Sequence, residues 1–242
     1  MPSYIIIINL NMKIVTIGDI HGRNIWKKIV RKEKDADKFI FIGDYFDSFS
    51  VPYIKQRDNF KDIVKFKMEN PDKIILLIGN HDYHYLPFVD EHYSGYQNDN
   101  KDKIGELLNS CRYIMQIAYQ YKDWLFTHAG VTEEWYTTRV CDDIDDTDVA
   151  QHINDMFMAL PNKFKFQAST PLDNYGDSIT QPPIWVRPRA LISDKLGKWK
   201  QVVGHTHQKS IELGDDIYFI DTFDNCTEYL VIEDGVPSVK SI

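Results

Sequence analysis

Five short stretches of the sequence place oxygen and nitrogen ligands directly after apolar runs. The first is residues 18–22, which read G-D-I-H-G and follow the apolar run 14–17. In a turn after a strand, residues two positions apart can point the same way, so Asp19 and His21 are placed to bind one ion. Carboxylate oxygen and imidazole nitrogen suit divalent ions such as Mn, Fe, Zn and Ni. This spacing alone is weak evidence for a metal site.

Four later stretches repeat the same design. They read G-D-Y-F-D at 43–47, G-N-H-D at 79–82, H-A-G at 128–130 and G-H-T-H at 204–207. A capping or turn role is favoured for any one of these residues alone, but five such stretches by chance would be a rare coincidence. The candidate ligands contain no cysteine and are Asp19, His21, Asp44, Asn80, His81, His128, His205 and His207.

The elements between the first three stretches predict how those stretches meet. Apolar spacing predicts helices over 24–34 and 57–69, between strands at 14–17, 38–42 and 73–78. This β-α-β-α-β order is typical of a buried parallel sheet, in which ligands bind beyond the carboxyl ends of the strands. The three stretches are therefore expected at one edge of a sheet.

The remaining elements are predicted from apolar periodicity. The clearest apolar stripe predicts one long helix over 101–121, with Cys111 in the core. A further helix is predicted over 147–160. Loops are predicted over 83–100 and 162–183, and they are expected to line or cover the cleft at the strand ends. Further strands are predicted at 124–127, 201–203, 217–221, 228–232 and 236–241. Those in the tail, from residue 200 onward, are expected to pair antiparallel.

Composition limits the function and the location. The 242 residues are 43% hydrophobic, and no apolar run approaches the ~18 residues that a membrane span needs. The net charge of −8 gives no basic field for bulk binding of nucleic acid. Three scattered cysteines form no disulfide or zinc pattern, which predicts a cytoplasmic location, in the host cytoplasm if the chain is viral.

The chain is predicted to hold one domain, over 12–242. Residues 1–11 lack the basic residues and the cleavage site of a signal peptide. We predict that they form an N-terminal extension, either as an extra edge strand or as a poorly ordered segment.

Taken in order, the five stretches resemble the motifs of the calcineurin-like metallophosphoesterase superfamily. The patterns G-D-I-H-G, G-D-Y-x-D and T-H-A-G are most similar to its phosphoprotein-phosphatase branch, which includes serine/threonine phosphatases and diadenosine-tetraphosphate hydrolases. The resemblance implies an α/β fold, a sandwich of two sheets flanked by helices, with a dinuclear metal site at the strand ends. One sheet is expected from the N-terminal units and the other largely from the tail.

The resemblance also implies a role for each ligand. Two divalent ions are expected, with manganese favoured over iron, zinc or nickel, and a hydroxide that bridges them would attack phosphorus in line. The first ion would be held by Asp19, His21 and His207, the second by Asn80, His128 and His205, and both by Asp44.

The resemblance implies that His81 is the general acid and that Asp47 orients it. His84 and His92 lie outside the motifs and are predicted to be loop or cap residues, and His152 to be a helix-surface residue.

One departure from the family pattern concerns phosphate binding. Many protein phosphatases continue G-D-x-x-D with an arginine, where this chain has Ser48 and Phe49. Arg187, in a W-x-R element similar to that of bacterial and phage members, is one candidate for the missing contact with phosphate. Arg23 is a second candidate. The alternative for both is a surface salt bridge.

The leading hypothesis is therefore a metal-dependent phosphatase that acts on a phosphomonoester, in a phosphoprotein or a small molecule. The alternative is a phosphodiesterase or dinucleoside-polyphosphate hydrolase, with which His207 is compatible. A scaffold without activity is disfavoured because no ligand and no general acid is lost. The expected partner is the phosphorylated substrate, with no membrane, and the sequence patterns leave the oligomeric state open.

Overall fold

Two β-sheets organise the computed structural model, which describes residues 12–167, 176–214 and 216–242. The predicted N-terminal extension, residues 1–11, lies outside the described residues. The strands are β1 (Lys13–Ile17), β2 (Lys38–Phe41), β3 (Ile74–Leu77), β4 (Met115–Gln116), β5 (Ala118–Tyr121), β6 (Trp124–Thr127), β7 (Lys200–Val203), β8 (Ile217–Phe219), β9 (Glu228–Glu233) and β10 (Val236–Ser241).

Helices cover the outer faces of the sheets. The α-helices are α1 (Trp26–Lys32), α2 (Tyr53–Glu69), α3 (Asn80–Tyr83), α4 (Lys101–Cys111), α5 (Glu133–Arg139), α6 (Val149–Ala159) and α7 (Pro188–Ser193). Single 3-10 turns occupy Asn98–Asn100, Arg112–Ile114 and Pro161–Phe164. Within the described residues, no helix combines the length and the apolar character that crossing a membrane requires.

The first sheet has the order β10-β9-β1-β2-β3-β4. Strands β1 to β4 are parallel, with Ile14 opposite Lys38 and Phe39 opposite Ile74. The predicted β-α-β-α-β unit is confirmed, so the ends of β1, β2 and β3 meet at one edge.

The second sheet has the order β5-β6-β7-β8, which corrects the prediction for the tail. The hairpin of β9 and β10 joins the first sheet beside β1, so only β7 and β8 of the tail lie in the second sheet. The predicted antiparallel pairing is also wrong for β7 and β8, which are parallel. Residues 204–216 between them supply the dozen or so residues that a parallel connection needs.

The predicted helix over 101–121 is wrong beyond Cys111. After the 3-10 turn the chain enters β4 and β5, and β5 pairs with β6 through a two-residue turn whose first residue, Lys122, has φ +53°. The apolar spacing continues through these strands, and the turn holds no glycine or asparagine to mark it.

The predicted loops agree largely with the structure. Residues 84–97 are irregular, as are the described parts of 165–183, while 168–175 lie outside the described residues.

Side chains alternate between the two faces of the first sheet, as strand geometry requires. One face meets the second sheet, and the other packs against α1 and α2, where Trp26 contacts Phe41 edge-on with ring centroids 5.7 Å apart. Both faces are therefore buried, which fixes the strand ends relative to one another. Residues that fill the space between the sheets include Ile14, Ile40, Leu77, Trp124, Phe126 and Val202.

Candidate metal centre

Backbone hydrogen bonds join the loops after β1 and β2. His21 N donates to the Asp44 carbonyl at 2.7 Å, and Gly22 N donates to the Tyr45 carbonyl at 3.0 Å. The first and second motif loops therefore form one unit, and their side chains keep a fixed spacing.

Asp82 joins the second loop to the third. Its buried carboxylate accepts hydrogen bonds from Asp44 N and Tyr45 N, both at 2.8 Å, and from Gly79 N at 3.0 Å. Asp82 completes the G-N-H-D motif, and the sequence alone assigns it no role. Its position shows that the motif aspartate builds the site without entering the cleft.

Four candidate site residues have positive φ: His21 (+40°), Asp44 (+52°), Asp47 (+64°) and His205 (+63°). Residues other than glycine seldom adopt this conformation, because Cβ crowds the backbone. Such strain persists where the surrounding structure enforces it and is concentrated at functional sites.

Two glycines allow backbone to approach the candidate carboxylates. A Cβ atom on Gly79 would collide with Asp44 Oδ1, and one on Gly204 would collide with Asp19 Oδ1. The glycines before the G-N-H-D and G-H-T-H ligands are therefore required for packing around the carboxylates.

Asp19, His21 and Asp44 form the first ligand group. Each offers a ligand atom, and these three atoms lie within 4.8 Å of one another. His21 Nδ1 contacts the Phe46 carbonyl at 2.6 Å, and because a carbonyl can only accept, Nδ1 carries the proton. In the neutral ring, Nε2 therefore presents a lone pair, as in metal-bound histidines.

Asn80, His128 and His205 form the second group. His128 Nδ1 donates to the Ile42 carbonyl at 3.0 Å, and His205 Nε2 donates to the Trp185 carbonyl at 3.2 Å. The other nitrogen of each ring lies 2.9 Å from Asn80 Oδ1. Burial and then Arg187 lower the pKa of His205 well below its usual value, so its ring is neutral. Three lone pairs therefore converge, which suits a divalent cation.

Asp44 lies between the two groups. Its Oδ2 is 3.7 Å from His21 Nε2 and 3.4 Å from His128 Nε2, while its Oδ1 accepts from His81 N at 2.9 Å. Burial raises the pKa of Asp44, but the neighbouring histidines outweigh burial and hold the pKa well below its usual value. This position fits the predicted bridging ligand.

Asp19 has the opposite electrostatic environment. Burial, followed by the nearby carboxylates of Asp221 and Asp44, raises its pKa well above the usual value. The backbone N–H of His205 donates to Asp19 Oδ2 at 3.0 Å, which offsets only part of this effect. A bound cation would favour the ionised form of Asp19.

His207 lies at the rim of the cleft. Its Nδ1 is 2.9 Å from Asp221 Oδ2 and its Nε2 is 2.5 Å from Asp224 Oδ2, and its side chain is 55% exposed. To bind the first ion, as predicted, the ring would have to give up one of these contacts. Asp221 was missed by the sequence analysis, although it closely follows β8; its Oδ1 is buried with no hydrogen-bond partner among the described residues.

Both candidate arginines line the cleft. Arg187 Nη1 donates to the His205 carbonyl at 3.3 Å and to Thr206 Oγ1 at 3.1 Å. Arg23 pairs through Nη2 with Asp224, while its Nη1 is buried and has no hydrogen-bond partner among the described residues. Each guanidinium group is thus anchored at the cleft.

His81 and Asp47 form the predicted pair. His81 Nδ1 donates to Asp47 Oδ2 at 3.0 Å. Burial lowers the pKa of His81, but Asp44 and the hydrogen bond with Asp47 outweigh burial, so the pKa is raised. His84 lies in the irregular segment after α3, as predicted, but it is buried, and its Nε2 lies 2.6 Å from the same oxygen of Asp47.

His92 and His152 stay outside the site. His92 stacks on Tyr96 with ring centroids 4.1 Å apart, and His152 is exposed on α6, where its Nδ1 contacts Asp146 at 2.6 Å.

An open cleft of about 630 Å³ brings most candidate residues together. Asn80 lines an adjoining cavity of about 200 Å³, and His128 is fully buried beneath it. The candidate residues that line the larger cleft are Asp19, His21, Arg23, Asp44, Asp47, His81, Arg187, His205 and His207.

Comparison with known proteins places this geometry in a wider context. A family model described as calcineurin-like phosphoesterase matches residues 12–217. No curated protein matches the sequence.

Solved structures share the fold. A cold-active protein-tyrosine phosphatase of the psychrophile Shewanella sp. is 17% identical with a TM-score of 0.62, over 94% of this chain and 80% of that chain. A protein serine/threonine phosphatase from Saccharomyces cerevisiae is 12% identical with a TM-score of 0.57, over 96% and 80%. A metallophosphoesterase from Sphaerobacter thermophilus is 12% identical with a TM-score of 0.50, over 96% and 88%. At such identities the similarity concerns the fold alone.

Proposed function

The chain belongs to the calcineurin-like phosphoesterase family and is a metal-dependent hydrolase of phosphoester bonds, and we propose that its substrates are phosphomonoesters, in phosphoproteins or small molecules. The observation that carries the proposal is the convergence of lone pairs from Asn80, His128 and His205 beside Asp44 and His81. Ligands for a cation thus lie next to an imidazole whose pKa is raised.

The residues present fit two divalent ions, with manganese expected. When bound, the ions supply Lewis-acid stabilisation of the phosphate and an activated water as nucleophile. Carbonyl oxygens hold Nδ1 of both His21 and His128, so neither ring must reorganise to bind an ion through Nε2. The proposed ligands are Asp19, His21 and His207 for the first ion, Asn80, His128 and His205 for the second, and Asp44 for both.

His81 is the proposed general acid. Because Asp47 accepts from Nδ1, the remaining nitrogen, Nε2, is left to donate a proton to the leaving oxygen. Because its pKa is raised, His81 is protonated in a larger fraction of molecules at neutral pH than an ordinary histidine is. Asp47 itself has a lowered pKa, because its hydrogen bonds with His81 and His84 outweigh burial, so it stays ionised and holds His81 in place.

Arg187 and Arg23 are proposed to bind phosphate oxygens. Both guanidinium groups face the cleft that holds Asp19 and Asp44. Two cations beside the metal ligands suit the dianionic phosphate of a monoester better than the single charge of a diester. They would replace the contact that many protein phosphatases obtain from an arginine directly after G-D-x-x-D, where Ser48 and Phe49 stand here.

The test compares p-nitrophenyl phosphate with bis-p-nitrophenyl phosphate on metal-stripped protein resupplied with Mn, Ni, Zn or Mg. We expect monoester hydrolysis with Mn to exceed diester hydrolysis. Faster diester hydrolysis would replace the proposal with the phosphodiesterase alternative. If the protein with metals bound hydrolysed neither compound, and also neither phosphopeptides nor nucleotides, the proposed function would be contradicted.

A further inference from the structure

We propose that His84 is a positioning residue, which holds the Asp47 carboxylate in the orientation that His81 requires. This inference rests on the proposed function of His81 as general acid. It assigns to His84 a part in catalysis without contact with the substrate.

Asp47 is the centre of a buried hydrogen-bond cluster. Its Oδ2 accepts from His81 Nδ1 at 3.0 Å and contacts His84 Nε2 at 2.6 Å. Its Oδ1 accepts from the Tyr85 hydroxyl at 2.6 Å and from Gln97 Nε2 at 3.3 Å. The side chain of Asp47 is fully buried, so solvent does not supply any of these bonds.

The two histidines share one carboxylate oxygen, and the bond from His84 is the shorter. A carboxylate held only through Oδ1 can turn about its Cβ–Cγ bond, which would move Oδ2 away from His81. The His84 contact opposes that rotation from the side away from the cleft, since His84 does not line the cleft. The orientation of Asp47 is therefore set before substrate arrives.

Aromatic rings fix the His84 ring itself. It contacts Tyr85 and Tyr96 edge-on, with ring centroids 4.5 and 4.9 Å apart, and stacks on Tyr93 at 5.8 Å. Its side chain is fully buried. The ring therefore cannot leave Asp47 without disturbing three tyrosines.

The chemistry of the ring argues against a purely structural role. His84 Nδ1 is buried with no hydrogen-bond partner among the described residues. An orphaned buried nitrogen is unfavourable, and a phenyl ring would fill the same place without one. The donor at Nε2 is thus the property that histidine adds at this position.

The experiment uses His84→Phe, which keeps the ring packing and removes the donor, and His84→Gln, which keeps a side-chain N–H at similar reach. His92→Phe is the matched control, since His92 lies outside the Asp47 cluster. Each protein is assayed with phenyl phosphate, whose leaving group needs a proton, and with 2,4-dinitrophenyl phosphate, whose leaving group does not. Metal content is measured in parallel.

For His84→Phe we expect kcat on phenyl phosphate to fall about tenfold or more, with KM and metal content unchanged. On 2,4-dinitrophenyl phosphate the loss should stay within about twofold, because the general acid is not needed there. His84→Gln should recover most of the lost activity, and His92→Phe should behave as wild type. Equal losses on both substrates, or an unchanged His84→Phe, would overturn the proposal.

A second readout needs no activity and no metal. In nitrogen-15 spectra of the metal-free protein, His84 should appear as the Nε2–H tautomer. The His81 Nδ1–H signal, protected from exchange by Asp47, should persist in His84→Gln and be lost in His84→Phe. A His84 ring protonated only at Nδ1 would overturn the proposal even if His84→Phe fails to fold. Wild-type inactivity on both aryl phosphates would instead count against the proposed function.

Discussion

Two buried carboxylates near β1 have opposite environments. The carboxylate of Glu33, which follows α1, forms ion pairs with Lys13 Nζ at 2.7 Å and Lys240 Nζ at 3.1 Å. It also accepts a hydrogen bond from the Tyr229 hydroxyl at 2.8 Å. Asp19, which follows β1, accepts a backbone N–H from His205 at 3.0 Å. Both side groups are buried, so the difference lies in their partners.

The pKa directions express this difference. Burial raises the pKa of Glu33, but hydrogen bonds from Lys13, Tyr229 and Lys240 outweigh burial, so the net pKa is lowered. For Asp19, burial and the neighbouring carboxylates raise the pKa instead. Glu33 is thus paired with the protein's own cations, whereas Asp19, under the proposed function, would depend on a cation from solution.

The largest expected effect follows replacement of the ligand between the two groups. Asp44→Asn should weaken both metal sites and reduce turnover by more than about 100-fold. Losses of about 100-fold are the upper end for residues that only contact a metal ligand, and Asp44 is proposed to bind the ions directly. Mass spectrometry of metal content and hydrolysis of p-nitrophenyl phosphate measure this. Two ions retained at wild-type affinity would remove Asp44 from the bridging role.

His81→Asn should rank second in effect on turnover. If His81 is the general acid, as proposed, its loss is expected to lower kcat on phenyl phosphate by about 10²–10⁴-fold while metal content stays intact. 2,4-Dinitrophenyl phosphate serves as the control substrate. Unchanged turnover of phenyl phosphate would show that another group donates the proton.

Glu33→Gln should change stability and leave catalysis unchanged. Loss of its charged hydrogen bonds is expected to lower the free energy of unfolding by about 2 kcal/mol at neutral pH. Asp35→Asn is the matched control, because Asp35 also pairs with Lys13, at 2.8 Å, but is exposed, and it should give no measurable change. Equal effects in the two variants, measured by urea denaturation, would contradict the role of burial.

The Glu33 contribution should also depend on pH. Its folded-state pKa lies below the unfolded value of about 4.3, so the stabilisation is complete above that pH and is lost as the pH falls through the folded-state pKa. The difference in unfolding free energy between wild type and Glu33→Gln should therefore shrink on acidification. A difference that grows below pH ~4 would reverse the assigned sign.

Asp19→Asn should change stability by less than Glu33→Gln does, and with the opposite sign. Because burial and the neighbouring carboxylates raise the pKa of Asp19, its carboxylate is unfavourable in the metal-free fold, and the variant should have a higher free energy of unfolding than wild type at neutral pH. Thermal denaturation of metal-stripped protein measures the change. A destabilised variant would mean that the bond from His205 N outweighs the burial of charge.

Much of the candidate metal centre could be predicted because its candidate ligands follow strands. The carboxyl ends of parallel strands share an edge, so Asp19 and Asp44 were expected to meet, and the structure brings their ligand atoms together with that of His21. The order of the motifs predicted the second group, which contains Asn80, His128 and His205. Neither prediction required the conformation of the loops.

The parts that could not be predicted depend on contacts between distant residues. His84 reaches Asp47, 37 positions away, only because the turn of α3 and the neighbouring tyrosines direct its ring. The strand β5 was hidden because its apolar residues continue the spacing of α4. The spacing of residues 112–121 is compatible with a helix and with strands, and tertiary packing selects the strands. For His84 as well, the outcome depends on tertiary packing.

The most direct measurement is an anomalous difference map from crystals grown with Mn²⁺. We predict two peaks in the cleft, one within ligand distance of Asp19 and His21 and one within ligand distance of Asn80, His128 and His205. Asp44 should touch both. A single peak, or a peak pair that Asp44 does not join, would contradict a dinuclear site at these strand ends.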